Sequence, residues 1–398
     1  MKKHLVLGAL AVLALAACTK SEVVEINKSN EISLTAVTGK NLTKAADGYC
    51  NNKLPGDFQV WASTSTTDPK KVYFQNETYS DTESSGTYTS ATAHYWPAEK
   101  LDFFALKNQN GDVAFDATTP KITVTGYRVE STPATQKDFL YAVDKGVSKP
   151  AGGKTNLNFR HALSQIEFKA KNLNKNIHVE IDGVQVVNVK NTGDFEATKA
   201  TDTNFEHHEN NDNADTDNRG DSRCSWANQG GKATYAASFT QTTVTYNTSV
   251  SLTSDDASGE YNSNTMYLLP QSITPWDPSN PSDMPKACDS NNAYFIVKAL
   301  IYNVADPSVP FVAGDNVVLW GKESSPGAGD WSTKEIAVKI PASQTWEDGK
   351  RYVYTFNFTT YGTGGTDPGT GTPVLTPIEL TVSVDDFVDA GNTNVDVK

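Results

Sequence analysis

Along most of this chain apolar residues alternate with polar ones at a period of two. In Arg351–Phe358 the residues Tyr352, Tyr354, Phe356 and Phe358 share one face, and in Pro377–Val384 so do Ile378, Leu380, Val382 and Val384. Successive side chains of an extended strand point to opposite sides, so each run predicts a strand buried on one face. The same alternation marks Phe58, Val60 and Ala62; Leu101, Phe103 and Ala105; Ile122 with Val124; Ile166, Phe168 and Ala170; Tyr235, Ala237 and Phe239; and Ile336, Val338 and Ile340. Near the start, Glu31–Ala36 places Ile32, Leu34 and Ala36 together. Tyr294–Tyr302 is apolar on both faces, as in a strand covered on both sides. No amphipathic helix longer than a few turns is visible. Asn, Asp, Ser, Thr, Gly and Pro cluster between the runs, while Thr, Val and Tyr are enriched within them. The pattern predicts an all-β protein of sandwiches joined by turns.

Two connections stand apart. Thr203–Ser225 is rich in Asn, Asp and Glu with almost nothing to bury, which predicts a mobile acidic excursion. It contains Arg219, Gly220 and Asp221, a short adhesion-type motif that an exposed loop would present, although three-residue matches arise easily in turn-rich sequence. Gly362–Pro373 is dominated by Gly and Thr and reads as a flexible tether without structure of its own, joining the two best strands of the chain.

The first residues break the alternation. Lys2 and Lys3 precede an uncharged apolar run from Leu5 to Ala17, and Leu15-Ala16-Ala17 sets small residues before Cys18. The run is too short to span a membrane and reads as a secretory signal. A cysteine directly after the small pair is what lipoprotein processing requires, since its sulfur accepts the lipid. The expectation is cleavage before Cys18 and attachment to the membrane through lipid only. Removal of 17 residues leaves 381, more than one core usually holds, which suggests about two domains. The net charge of −13, nearer −15 without Lys2 and Lys3, argues against nucleic acid or an anionic lipid surface as partner. Cys50, Cys224 and Cys288 remain after Cys18, so at most one internal disulfide can form. Cys224 with Cys288 is the expected pair.

Constellations that carry catalysis are missing from the sequence. There is no Gly-x-Ser-x-Gly elbow, no phosphate-cradling Gly-x-x-x-x-Gly-Lys-Ser/Thr loop and no Cys-x-x-Cys pair. His161 comes nearest to a site, but no carboxylate that would orient it can be named from sequence, so it reads as a structural histidine. His207, His208 and Glu209 lack convergent geometry, and Asp212, Asp215 and Asp217 lack the turn glycine of a calcium loop. No enzyme, cofactor or metal site is expected. Trp61, Trp226, Trp276 and Trp331 could stack on sugars if exposed, which keeps a surface glycan-binding lipoprotein as the alternative; the same residues serve sandwich cores.

Six segments carry a resemblance. Tyr95-Trp-Pro97, Leu101-Asp-Phe-Phe-Ala105, Asp138-Phe-Leu-Tyr-Ala142, Leu157–Ile166, Tyr267-Leu-Leu-Pro-Gln271 and Trp346–Tyr352 follow one another behind the lipid-type signal and before a final alternating strand. In these the chain resembles the fimbrillin family of bacterial surface lipoproteins, relatives of type V pilus subunits, over nearly its whole mature length. The resemblance implies two transthyretin-like β-sandwich domains in tandem. After the signal at 1–17, a tether and N-terminal strand would occupy 18–44, the first sandwich 45–173 and the second 174–398, with a terminal strand at 376–389 behind the Gly-rich linker.

It also implies a role in building or anchoring fimbriae that serve surface adhesion, with other subunits as partners and a host or bacterial surface ligand as target. In the family a protease removes an N-terminal strand, and a C-terminal strand of another subunit fills the groove. Here the groove strand would carry Ile32, Leu34 and Ala36, and the donor strand Ile378, Leu380, Val382 and Val384. Related pilins are commonly cut after Arg, but the linker here reads Gly39-Lys-Asn-Leu-Thr-Lys-Ala-Ala46 and the first Arg of the chain is Arg128. That leaves cutting after Lys40 or Lys44, or no cutting, and an uncut chain suits a basal anchor or terminal subunit.

Overall fold

A computed structural model describes residues 30–38, 54, 56–198, 200–201, 224–253, 264–279, 286–342, 344–360 and 364–386. The regular structure is strands with a few single-turn 3-10 helices, as the period of two predicts. Among the described residues no helix is long and apolar enough to cross a membrane.

Four larger sheets organise the chain. The first contains β1 (Ser33–Thr38), β2 (Phe58–Thr64), β3 (Val72–Ser80), β4 (Thr89–Ser90), β5 (Leu101–Lys107), β8 (Leu140–Val147) and β9 (Lys154–His161), in the order β1-β9-β8-β5-β2-β3-β4. The second sheet joins β6 (Asp112–Asp116) and β7 (Lys121–Arg128) to β12 (Thr192–Ala197) and β13 (Cys224–Gly230). The third holds β11 (Ile177–Val189), β14 (Ala233–Thr243), β18 (Tyr294–Asn303), β19 (Val317–Trp320) and β22 (Lys334–Lys339). In the fourth, β10 (Ser164–Asn172) and β24 (Lys350–Phe358) run parallel at the centre. They are flanked by β15 (Ser249–Ser251) and β16 (Met266–Leu268) on one side and by β25 (Ile378–Asp386) on the other. Two short ribbons complete the set, β17 (Gln271–Ser272) with β23 (Thr345–Trp346) and β20 (Lys322–Glu323) with β21 (Trp331–Ser332).

Alternation puts apolar side chains on both faces of the central strands of the first sheet, and each face has its own core. Leu101, Phe103 and Ala105 of β5 bury on one side with Phe58, Val60 and Phe159. Phe104 and Leu106 of the same strand turn the other way, toward Ile122, Val124 and Phe195 of the second sheet. Rings meet across that interface at 5.2 Å for Phe104–Phe115 and for Tyr141–Phe195. The third and fourth sheets pack likewise, with Phe295 edge-on to Phe168 at 5.0 Å and to Tyr354 at 4.7 Å. β18, flanked by β11, β19 and β22, is the covered strand its unbroken apolar run predicts.

The sheets do not divide where the sequence suggested. A boundary at residue 173 would part β10 from its parallel partner β24, and β7 from β12. The reason is topological: only two residues separate β9 from β10, which crosses at once into the fourth sheet, while β12 and β13 return to complete the second.

Candidate functional site

The two strands singled out at the chain ends occupy different situations. β1 runs parallel to β9, in register from Ser33 opposite Lys154 to Thr38 opposite Phe159. Its other edge is also engaged. Leu34 N donates to Tyr88 O at 3.0 Å and Tyr88 N to Leu34 O at 2.8 Å, Ile32 N donates to His94 O at 2.7 Å, and Trp96 N to Asn30 O at 2.9 Å. Thus β1 closes the first sheet on itself by filling the gap between β9 and the segment around β4. Its polar positions face outward, where Thr35 Oγ1 donates to Asn156 Oδ1 at 3.0 Å. Ile32, Leu34 and Ala36 face inward and are fully buried among Phe58, Tyr79, Tyr88, Trp96 and Phe159. Burying an Ile or Leu side chain contributes roughly 1.5–3 kcal/mol.

The seat has one defect. The Tyr79 hydroxyl, in the core beneath β1, has no hydrogen-bond partner. Burial pushes its pKa far up, and Glu77 and Glu31 add to the shift. An unmet buried hydroxyl costs roughly 1–3 kcal/mol. The Tyr88 hydroxyl, pushed up to about 12 by burial and then by Asp81 and Asp57, does have a partner and donates to the Leu54 carbonyl. Leu54 N donates in turn to Ala36 O at 3.3 Å. Leu54, Tyr79 and Tyr88 therefore shape this seat. Sequence reading passed over them because each is a single apolar residue outside an alternating run.

β25 lies at an edge. It is antiparallel to β24, from Ile378 opposite Phe358 to Asp386 opposite Lys350, and among the described residues it has no strand on its far side. Its four alternating apolar residues are buried unevenly: Ile378 completely, Leu380 and Val382 partly against the core, and Val384 least, at 51% exposure.

The preceding segment corrects an expectation, because the described part of the Gly-rich tether is structured. Thr366 exchanges backbone hydrogen bonds with Ala337 of β22 at 2.7 and 3.0 Å, and Val374 N donates to Gly365 O at 2.9 Å. Asp367 pairs with Lys334 at 2.8 Å and accepts from the amides of Gly369 and Thr370. Burial pushes the Asp367 carboxyl up, but the Lys334 ammonium and those amides outweigh it and hold it below the usual range. Glycine is required at 365 because a Cβ there would sit 2.2 Å from Ile336 Cγ2 and 2.9 Å from Ala337 O. The composition that suggested a loose linker serves a close backbone approach instead.

Cys18, Lys40, Lys44, the Arg219-Gly220-Asp221 motif and His207–Glu209 lie outside the described residues. His161 does have an orienting carboxylate: its Nδ1 is 2.6 Å from Asp138 Oδ2, because β8 and β9 pair Leu140 with His161. That partner is 23 residues upstream and could be found only through the hairpin. The expected disulfide is not formed. The Cys224 thiol donates to Asp348 at 3.6 Å, and Cys288 sits exposed in a single 3-10 turn beside Asp289. Trp61 and Trp276 are core residues and Trp226 donates its indole N–H to the Ala162 carbonyl at 2.9 Å, which leaves Trp331 as the exposed member of that set. Among the described residues no group of three metal-ligating side chains converges.

The architecture defines a β-sandwich protein whose first strand is gripped on both edges and whose last lies at an edge. The chain belongs to the Fimbrillin-like family, whose profile matches residues 43–289. Among solved structures it is similar to a fimbrial protein from Bacteroides vulgatus, at 14% identity over 90% of this chain and 100% of that one, with a TM-score of 0.47. It is also similar to the tip fimbrial protein Mfa3 from Porphyromonas gingivalis with a C-terminal truncation, at 12% identity over 89% of this chain and 99% of that one, with a TM-score of 0.31. No curated protein matches the chain.

Proposed function

We propose that this protein is a structural subunit or anchor of a bacterial fimbria, delivered to the outer surface by lipid on Cys18 and joined to other subunits by strand exchange. The observation that carries the reading is the seating of β1 between two hydrogen-bonding edges, in a chain that also carries an edge strand β25 whose apolar face is only partly buried. Cutting after Lys40 or Lys44 would detach β1 from the rest of the chain and, on its departure, leave a groove with unpaired edges. Such edges are templates for an incoming strand, which satisfies them through its backbone.

Within the groove a donor strand would present more apolar surface than β1 does. β1 offers Ile32, Leu34 and Ala36 to the groove, whereas β25 offers Ile378, Leu380, Val382 and Val384. Each extra buried methylene contributes about 0.8 kcal/mol. β25 in turn gains burial for Val384, which its own sheet leaves exposed. An uncut chain keeps its groove filled and can only donate, which suits an anchor or terminal subunit.

N-terminal sequencing of surface multimers tests the processed form: a start at Asn41 or Ala45 is expected, and a start at Cys18 alone overturns it. Leu380→Asp tests the exchange itself. It should abolish multimers that resist mild denaturation, and multimers of normal yield would overturn strand exchange.

A further inference from the structure

In strand exchange β25 would leave its sheet while still joined to the chain at its Ile378 end. Asn172, Phe358 and Ile378 are aligned across β10, β24 and β25 at that end, where Leu173 N donates to Phe358 O at 2.7 Å. At the opposite end two residues join β9 to β10, and Gly349 N donates to Leu163 O at 3.0 Å, so that end adjoins the first sheet. The hinge for β25 is held in place: Pro377 O accepts from Thr359 N at 3.0 Å, and Val374 is tied to Gly365. A strand of nine residues pivoting there projects from the Leu173 end by about 30 Å at roughly 3.3 Å per residue. Whatever accepts it must come up against that pole.

The pole is apolar. Nine large apolar side chains are exposed among the described residues, and six of them are here: Leu173, Tyr246, Val309, Val312, Val317 and Leu375. Tyr246 bridges to Asn172. Val317 pairs with Asn303, which pairs with Ile177 just after the turn from Leu173. Val309 and Val312 lie on the loop joining β18 to β19. That loop is held over the strand ends by Phe311, stacked on His178 with ring centroids 3.6 Å apart. Leu375 is 78% exposed although Val374 and Thr376 on either side are buried, so the backbone itself turns it outward. Exposed apolar clusters of this kind mark association surfaces.

Building on the strand-exchange reading, we infer that this pole is a second contact surface, covered by the first sheet of the copy that receives β25. The occupant follows from the hinge: the strand and the six side chains leave from the same end, so the receiving copy is brought onto them. The pole would convert a flexible join of beads on strands into a stiff one, because a body docked on both a strand and a surface cannot swivel.

Photo-crosslinking on intact cells producing the full chain tests this. Benzoylphenylalanine is placed at position 312 or 375 on the pole, and separately at position 380 on β25, and the linked peptides are read by mass spectrometry. The expected result is that all three positions link to residues 54–161 of another copy, the part of the first sheet that remains once β1 has left. If position 380 links to another copy while 312 and 375 do not, or link to a different protein, the pole proposal is overturned and strand exchange stands. If position 380 links only within its own chain, strand exchange is overturned and the pole proposal falls with it. In a second measurement, Val312→Asp with Val317→Asp should lower multimer yield about tenfold, as loss of a central apolar contact does. An unchanged yield from a normally folded double variant would overturn the proposal.

Discussion

Leu34 and Tyr88 exchange both of their backbone hydrogen bonds, N to O at 3.0 and 2.8 Å in the two directions. This reciprocal pair closes the first sheet on its β1 side, and it makes the stability of the uncut chain depend on a strand that lies before the family-matched region. The two end strands should therefore respond unequally to side-chain truncation. Leu34→Ala should destabilise the uncut chain by about 2–4 kcal/mol in urea unfolding, as cavity formation in a closed core requires. Val384→Ala should cost under about 0.5 kcal/mol in the same assay, since that side chain is half exposed, yet should lower multimer yield.

Gly365→Ala should release the Thr366–Ala337 bridge, because the new methyl group meets Ile336 and a backbone carbonyl at once. The expected outcome is new proteolytic cleavage between residues 364 and 377 and a loss of about 1–3 kcal/mol. Protection equal to the unmodified chain would count against the pinned loop.

Asp144 has its carboxyl raised to about 6, by burial first and by Asp102 second. A raised folded value means that the contribution is fully present below the unfolded value near 4 and is lost as pH rises through about 6. Asp144→Asn should accordingly stabilise the protein by about 1–2 kcal/mol at pH 7.5, after allowance for partial exposure, and by nothing measurable at pH 4. Denaturant midpoints at the two pH values decide it.

Asp367 behaves in the opposite sense. Its carboxyl is held below the ordinary range, so its contribution is present above about pH 4 and is lost as acid titrates the folded group. The unmodified chain should lose more stability than Asp367→Asn between pH 6 and pH 2.5, and Lys334→Met should shrink that difference. Equal losses in all three would remove the Lys334–Asp367 pair as an acid-sensitive tie.

Much of the fold was legible in the residues. The alternation of Tyr352, Tyr354, Phe356 and Phe358, of Leu101, Phe103 and Ala105, and of Ile32, Leu34 and Ala36 marks strands that the structure contains, because burial on one side of an extended chain imposes that period. Partnership was not legible. β1 pairs with β9, some 120 residues on, and nothing local to either strand encodes the other. The Gly-rich segment misled for a related reason, since glycine looks the same in sequence whether it permits motion or close contact.

The sequence by itself determined the strands and the apolar faces of the first and last of them, because these depend on local order and composition. Only the tertiary structure decided which edges grip β1, why β25 lies at an edge, that Asp138 meets His161, and that six apolar residues scattered from 173 to 375 gather at one pole. Those relationships come from long-range pairing of backbone edges, which are chemically alike in every strand and are distinguished only by where the folded chain brings them.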